Sequence, residues 1–360
     1  MNITQSRLIN QHLLGDKFVK PEEVVDNFGA VQAQDFPAAK YSLGIRIKNS
    51  TDQSVEHAFN EGKFLRTHVL RPTWHFVTPA DLVWMQDLTR DKVKAQMAGY
   101  NRRLELTDEV FARATEVIVK ELSRKNYKTR QELRTKLLDE LKIETDVQRL
   151  AHLIMWPELD SIICSGPKIG KQLTYALVSE RAPKSKKLSR EESLAKLTWK
   201  YFSSHGPAQV IDFSWWSGLN QKEIVEGLDL NQDKLVSETI EGKTYWFSEK
   251  TKVETADQAH LLSIYDEYTI AYRDRSALGS ERYIEKMIAQ GNFLTSVIIL
   301  NGLIVGYWKR NLKKDKVEVS LTFYRKINKK EKTLVELAAK DYADFLKLPL
   351  TLEFSYNSRA

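Results

Sequence analysis

Gln32 and Gln34, in the run Asn27-Phe28-Gly29-Ala30-Val31-Gln32-Ala33-Gln34-Asp35-Phe36, are the residues whose types and spacing best suit chemistry. Side chains alternate faces with period two along an extended backbone, so an i, i+2 pair projects to one side only in a strand. Two primary amides on one side can hold a single water between them. A carboxamide offers an acceptor oxygen and two donor hydrogens but is a poor base. Such a pair would act by positioning the water and presenting negative dipole ends. Taken alone, Gln-x-Gln is common, and two solvated side chains at a helix end account for it better.

The surrounding sequence must place the pair. Ile3, Leu8, Ile9, Leu13 and Leu14 recur at helical spacing with Thr4 as the expected cap, and Pro21 opens a second helix at the position where a missing N–H costs nothing. A third helix is expected around Ser54 to Asn60. Two β-rich runs follow, Phe64 to Leu70 and Trp74 to Thr78, broken by Arg71-Pro72-Thr73. Three helices and a β-hairpin make the pattern of a winged helix, the hairpin being the wing. The pattern recurs with helices near Thr107 to Arg124, Thr129 to Leu138 and Thr145 to Pro157, then strands at Ile162 to Ser165 and Leu173 to Val178. It recurs again between Arg190 and about Lys252, with Glu241-Gly242-Lys243 as a hairpin turn. From Ala256 onward the chain reads as mostly β, with Asn301-Gly302 as a strong turn, a helix from about Glu331 to Phe345 and a last strand over Leu350 to Tyr356. The expected fold is α+β, with units at 1–95, 96–182, 188–255 and 256–360 and a Lys-rich linker at Arg181 to Lys187.

Five segments together resemble one family. After the glutamine pair comes Arg66-Thr67-His68-Val69-Leu70-Arg71-Pro72-Thr73-Trp74-His75-Phe76-Val77. Then come Cys164-Ser165-Gly166-Pro167 with Leu173-Thr174-Tyr175, Gly206-Pro207-Ala208 with Asp212 to Leu219, and Tyr265-Asp266-Glu267-Tyr268 with Tyr272-Arg273-Asp274-Arg275-Ser276. In order and wording they resemble the tandem winged-helix, AlkZ-like DNA glycosylases, which excise alkylated bases and unhook interstrand crosslinks. The resemblance implies three winged helices and a C-terminal β-barrel in a C-shaped array that encloses double-stranded DNA as a monomer. It also implies that Gln32 and Gln34 are catalytic.

A glycosylase must break the bond between sugar and base and quench the cationic sugar with water. A purine alkylated at N7 already carries positive charge, so no acid is needed to expel it, and two amides suffice to hold the water. Asp35, the nearest carboxylate, is at most an accessory base, since alternation turns it away from the glutamines. No lysine adjoins the motif to form a Schiff base; Lys40, the closest, reads as a solvated surface cation. The reaction should therefore stop at an abasic site.

Arg66 and Arg71 can reach phosphates around the lesion, or else pair with Asp35 or Asp81. His68 and His75 alternate with apolar residues; at least one is expected to be structural, and His75 is a possible accessory to the site. Neither has a carboxylate or cysteine at ligand spacing, so no metal and no other cofactor is expected. Gly166-Pro167-Lys168-Ile169-Gly170-Lys171-Gln172 lacks the spacing and hydroxyl of a nucleotide-binding loop and reads as the second wing's turn, with Lys168 and Lys171 against the DNA backbone. Of Trp215-Trp216, one ring is expected to face inward. The charged and aromatic residues from Tyr265 to Arg275 fit a buried ion-pair network or DNA contact equally.

A net charge of +7 over 360 residues favours a polyanionic partner, although the cations are spread along the chain. One cysteine excludes an internal disulfide, and no apolar stretch approaches the roughly 18 residues needed to span a bilayer, so a cytoplasmic, nucleoid-associated protein is expected. The rival reading is a non-catalytic winged-helix regulator, since that fold serves binding more often than catalysis. The glutamine motif favours the enzyme.

Overall fold

A computed structural model of the chain describes residues 1–142, 146–248, 257–289 and 296–356. The first stretch carries α1 (Ile3–Asn10), α2 (Pro21–Phe28), β1 (Val31–Gln32), α3 (Phe36–Gly44), α4 (Asp52–Asn60), β2 (Leu65–Val69) and β3 (Arg71–Val77). Asn2 caps α1 by accepting from Gln5 N, whereas Thr4, the expected cap, lies inside the helix and donates to Ala277 O at 2.8 Å. Helix α3 was not anticipated: Asp35 caps it and Pro37 sits in its first turn, signals masked by the short interval between glutamine motif and helix. The hairpin also turns earlier than expected. Leu70, at φ 66°, makes the reversal, and Arg71-Pro72-Thr73 belong to β3. The small sheet has the order β1-β3-β2.

The second stretch holds α5 (Leu82–Arg103), α6 (Asp108–Leu122), β4 (Lys128–Thr129), α7 (Arg130–Leu141), α8 (Val147–Leu159), β5 (Ile163–Ser165), β6 (Thr174–Leu177) and α9 (Val178–Arg181). The expected helix start at Thr145 lies outside the described residues. The 22-residue α5 escaped the sequence reading because charge covers most of its surface. Its first turns pack Trp84 and Met85 into the core shared with the β2–β3 hairpin, and its later turns set Val93 and Met97 on Met155 and Leu159 of α8. The boundary read at 95/96 thus falls within a helix that serves both sides. A third group comprises α10 (Arg190–Ser204), α11 (Val210–Ser217), α12 (Gln221–Asp229), β7 (Val236–Ile240) and β8 (Lys243–Phe247). Its end near 252 and the start of the last unit at 256 lie outside the described residues.

The last group contains β9 (Ala259–Leu262), α13 (Glu267–Ile270), α14 (Glu281–Ala289), β10 (Val297–Leu300), β11 (Leu303–Leu312), β12 (Val317–Phe323), α15 (Lys329–Leu346) and β13 (Leu350–Tyr356). Its strands form an open sheet in the order β13-β12-β11-β10-β9. This corrects the expected barrel. Helix α15 carries the chain over the sheet so that β13 returns parallel to β12, and the edges β9 and β13 do not meet. Val335, Ala339 and Tyr342 of α15 cover the face that closure would otherwise seal, in one core with Phe28, Val31, Phe59 and Phe76 of the first stretch. A second core joins the β2–β3 hairpin to α10 and α11. Strand β1 leaves between the two, with Ala30 in one and Val31 in the other.

Candidate active site

Gly29, at φ 80°, ends α2 and lets the chain turn directly into β1. Pairing with β3 then sets Val31 opposite Phe76 and Gln32 opposite His75, and Ala33 N donates to Trp74 O at 2.7 Å. Gln32 is held at two points and buried. Its backbone N–H donates to Glu267 Oε1 at 2.7 Å, its Oε1 accepts from Arg71 Nη2 at 3.1 Å, and its side chain is almost wholly buried. Gln34 is exposed at the rim, where its Oε1 takes the place of a ladder carbonyl by accepting from Trp74 N at 3.4 Å. The pair is therefore split in depth, one amide inside the site and one at its mouth.

Along β3, Arg71, Thr73 and His75 alternate onto the face of the small sheet that carries Gln32, and Thr67 of β2 stands opposite His75. This face is polar, with Gln32, Thr67 and His75 buried and Arg71 and Thr73 half-buried. His75 Nδ1 donates to Thr73 O at 2.9 Å, which leaves Nε2 as an acceptor that is buried without a partner. Burial, and then the neighbouring Arg71 charge, lower the His75 pKa to about 3, so the ring is neutral. The hydroxyls of Thr67 and Thr73 and Arg71 Nε are likewise buried without partners. Buried polar atoms are ordinarily paired with protein or water, so four such atoms on one sheet face mark a place for water or substrate.

The opposite face carries Arg66, His68 and Trp74. Arg66 Nε donates to Ala33 O at 2.9 Å, its guanidinium lies 4.3 Å from the Trp74 ring centre, and burial lowers its pKa to about 10, which still leaves it charged. His68 packs against Trp74, ring centres 4.2 Å apart and tilted by 42°, and pairs through Nδ1 with the buried Glu158, a structural arrangement. Arg66 and Trp74 line a cavity of about 710 Å³ with Arg130, Arg134 and Lys171. Neither Asp35 nor Asp81 pairs with the arginines: Asp35 Oδ1 accepts from Ala38 N at 2.8 Å as the α3 cap, and Asp81 is engaged by Lys196 and Lys200.

Gln32, Gln34, Arg66, Arg71 and His75 thus converge on one small sheet, with Lys171 across the cavity from Arg66. Lys168 stands apart, its Nζ held by Glu56 at 2.7 Å. Lys40, expected as a solvated cation, is buried and pairs with Asp52 and Glu56 at 2.7 Å each, because α3 lays it against the acidic side of α4. The segment from Tyr265 to Arg275 contributes the residue that sequence reasoning missed. Glu267, 1% exposed, accepts from Gln32 N and from Trp216 Nε1 at 2.9 Å, and lies 3.4 Å from His205 Nε2. Its neighbour Asp266 pairs bidentately with the buried Arg46, both contacts 2.8 Å. Alternating charge and aromatics flagged this segment, but nothing ties position 267 to position 32 across a separation of 235 residues.

The family model for AlkZ-like DNA glycosylases matches residues 25–345, and the chain belongs to that family. It is accordingly a DNA glycosylase, which decides against the regulator. Among solved structures, Streptomyces sahachiroi DNA glycosylase AlkZ superimposes with a TM-score of 0.80 at 19% identity, covering 98% of each chain, and so shares the fold. No curated protein matches the chain in sequence. No described helix is long and apolar enough to cross a membrane.

Proposed function

We propose that this glycosylase hydrolyses the N-glycosidic bond of cationic N7-alkylated purines in duplex DNA, crosslinked guanines among them. The observation that carries the reading is the state of the Gln32 amide. Arg71 fixes its oxygen from one side, and a carbonyl oxygen has two lone pairs, so one remains for a water. Gln34 at the rim presents a second amide to the same water, and His75 Nε2, opposite Gln32 in register, is a further acceptor. The water oxygen bonds to the sugar C1′ as the bond to the base breaks, the bonding pair leaves with the base, and the surplus proton passes to solvent.

No general acid is needed, and the site offers none. Asp35 is committed as a helix cap and Glu267 is occupied by protein donors. A leaving group that already bears positive charge becomes neutral on departure, so the site need only stabilise the sugar cation. Lys40, tied to two carboxylates, supplies no Schiff base, and the product is an abasic site. Arg66, Arg71 and Lys171 meet phosphates, while Lys168 is neutralised by Glu56. The groups α1 to β3, α6 to β6 and α10 to β8 serve as winged-helix units, with α5 bridging the first two, and the protein encloses the duplex as a C-shaped monomer.

The test is incubation with duplexes carrying N7-methylguanine, uracil or 1,N6-ethenoadenine, followed by alkaline cleavage of abasic sites. Release is expected only from N7-methylguanine, because two amides do not replace a general acid worth roughly 10²–10⁴-fold. Uracil release at a comparable rate overturns the reading.

A further inference from the structure

Arg71 has a second neighbourhood beyond Gln32. Its guanidinium, together with those of Arg273 and Arg275, surrounds the Trp215 indole at 5.9, 5.4 and 5.7 Å from the ring centre. The indole is fixed by its Nε1 donating to Ile270 O at 2.9 Å. Arg71, Thr73, Trp215 and Arg273 line a cavity of about 550 Å³ on the same sheet face as Gln32. Two of its lining groups, Arg71 Nε and the Thr73 hydroxyl, are buried hydrogen-bonding groups without partners. The nearby carboxylates already have donors: Asp212 faces Arg7 and the backbone N–H groups of Arg273 and Asp274, Asp266 binds Arg46, Asp274 binds Lys243, and Glu267 accepts from Gln32 N and Trp216 Nε1. Like charges gathered on one ring, with unsatisfied groups facing a cavity, call for an anion.

We propose that this cavity binds one DNA phosphodiester flanking the damaged nucleotide, held by Arg71 and Arg273 over Trp215. The site deepens the proposed function and depends on it only for where the lesion lies. Arg71 links the phosphate to catalysis, since its Nη2 already holds the Gln32 amide oxygen. A phosphate on the other side of this guanidinium offsets a positive charge that would otherwise oppose the developing sugar cation. Arg71 and Gln32 then act on substrate as one unit. Burial lowers the Arg71 pKa, the direction expected of a guanidinium held in a part-buried cavity wall.

The test uses duplexes with a tetrahydrofuran abasic-site analogue in which each flanking phosphate is replaced, one at a time, by an uncharged methylphosphonate. Affinities are measured by fluorescence anisotropy for the unaltered protein and for Arg273→Ala, whose exposed side chain makes folding safe to check by thermal unfolding. One linkage should cost the unaltered protein about tenfold in affinity and cost Arg273→Ala clearly less, since only Arg71 remains to meet it. If the losses at every linkage simply add to that of the substitution, or if Arg273→Ala binds like the unaltered protein, the proposal is overturned. Because the analogue carries no base, failure to release N7-methylguanine would refute the substrate while leaving this result standing.

Discussion

Gln32 does at residue scale what its neighbours allow. An amide tied down through its backbone N–H and its side-chain oxygen loses little freedom when a substrate arrives, which is where orientation gains its effect. Replacing Gln32 and Gln34 together by alanine should reduce base release by at least about 10²-fold while leaving duplex affinity nearly intact, since neutral amides release no counterions. Parallel single-turnover and anisotropy measurements separate the two; equal losses in both would mean a structural role. His75 carries a stability consequence. Its folded pKa of about 3 lies below the ordinary 6.5, so the unfolded chain takes up a proton that the folded one refuses as pH falls. Stability should be full above about pH 6.5 and decline below it, at up to about 1.4 kcal/mol per pH unit from this residue. Urea unfolding between pH 7 and 4 should show a shallower decline in His75→Gln.

At the scale of elements, the site is a two-residue strand that could not hold its shape alone. Strand β1 is fixed by β3 on one side and by Glu267 of α13 on the other. Removing the Glu267 carboxylate leaves Gln32 N and Trp216 Nε1 buried without acceptors, so Glu267→Ala should destabilise the protein by about 3 kcal/mol. It should also lower base release, read by the same cleavage assay at a temperature where the variant stays folded. The hairpin β2–β3 is likewise braced from outside. Gly218, at φ 75°, lies so close that an added Cβ would stand 2.9 Å from Leu70 O. Its lack of a side chain lets α11 seat against the hairpin turn and bring Trp215 to Arg71.

At the scale of the whole molecule, the groups proposed to meet phosphate come from stretches far apart in sequence: Arg66 and Arg71 on the small sheet, Lys171 on the β5–β6 turn, and Arg273 after α13. With Arg71 and Arg273 sharing one phosphate, about three phosphates are neutralised, which predicts that log affinity falls against log salt concentration with a slope of about −2.7. Alanine at Arg66 or Lys171 should reduce the magnitude of that slope by about one without introducing sequence preference. A titration from 50 to 200 mM salt checks both. An unchanged slope in both variants would remove that cavity wall from the DNA path.

Much of this was local and therefore legible. The i, i+2 glutamines, the Pro21 helix start, the Asn301-Gly302 and Glu241-Gly242 turns and the alternating strand β12 all rest on interactions between near neighbours in sequence. Helix α5 was missed because its buried residues are sparse among charges, and α3 because its start overlaps the motif. The barrel was misjudged because closure depends on where α15 returns β13, a question of packing that alternation does not encode. The same limit applies to the site. Sequence alone pointed to Gln32 and Gln34 as the amides to hold a water and to Arg66, Arg71, Lys168 and Lys171 as the cations for phosphate, without Arg273. Only the tertiary structure put Glu267 beneath Gln32, Arg71 between Gln32 and Trp215, and Lys40 in an ion pair, because burial and long-range pairing arise when distant segments share a core.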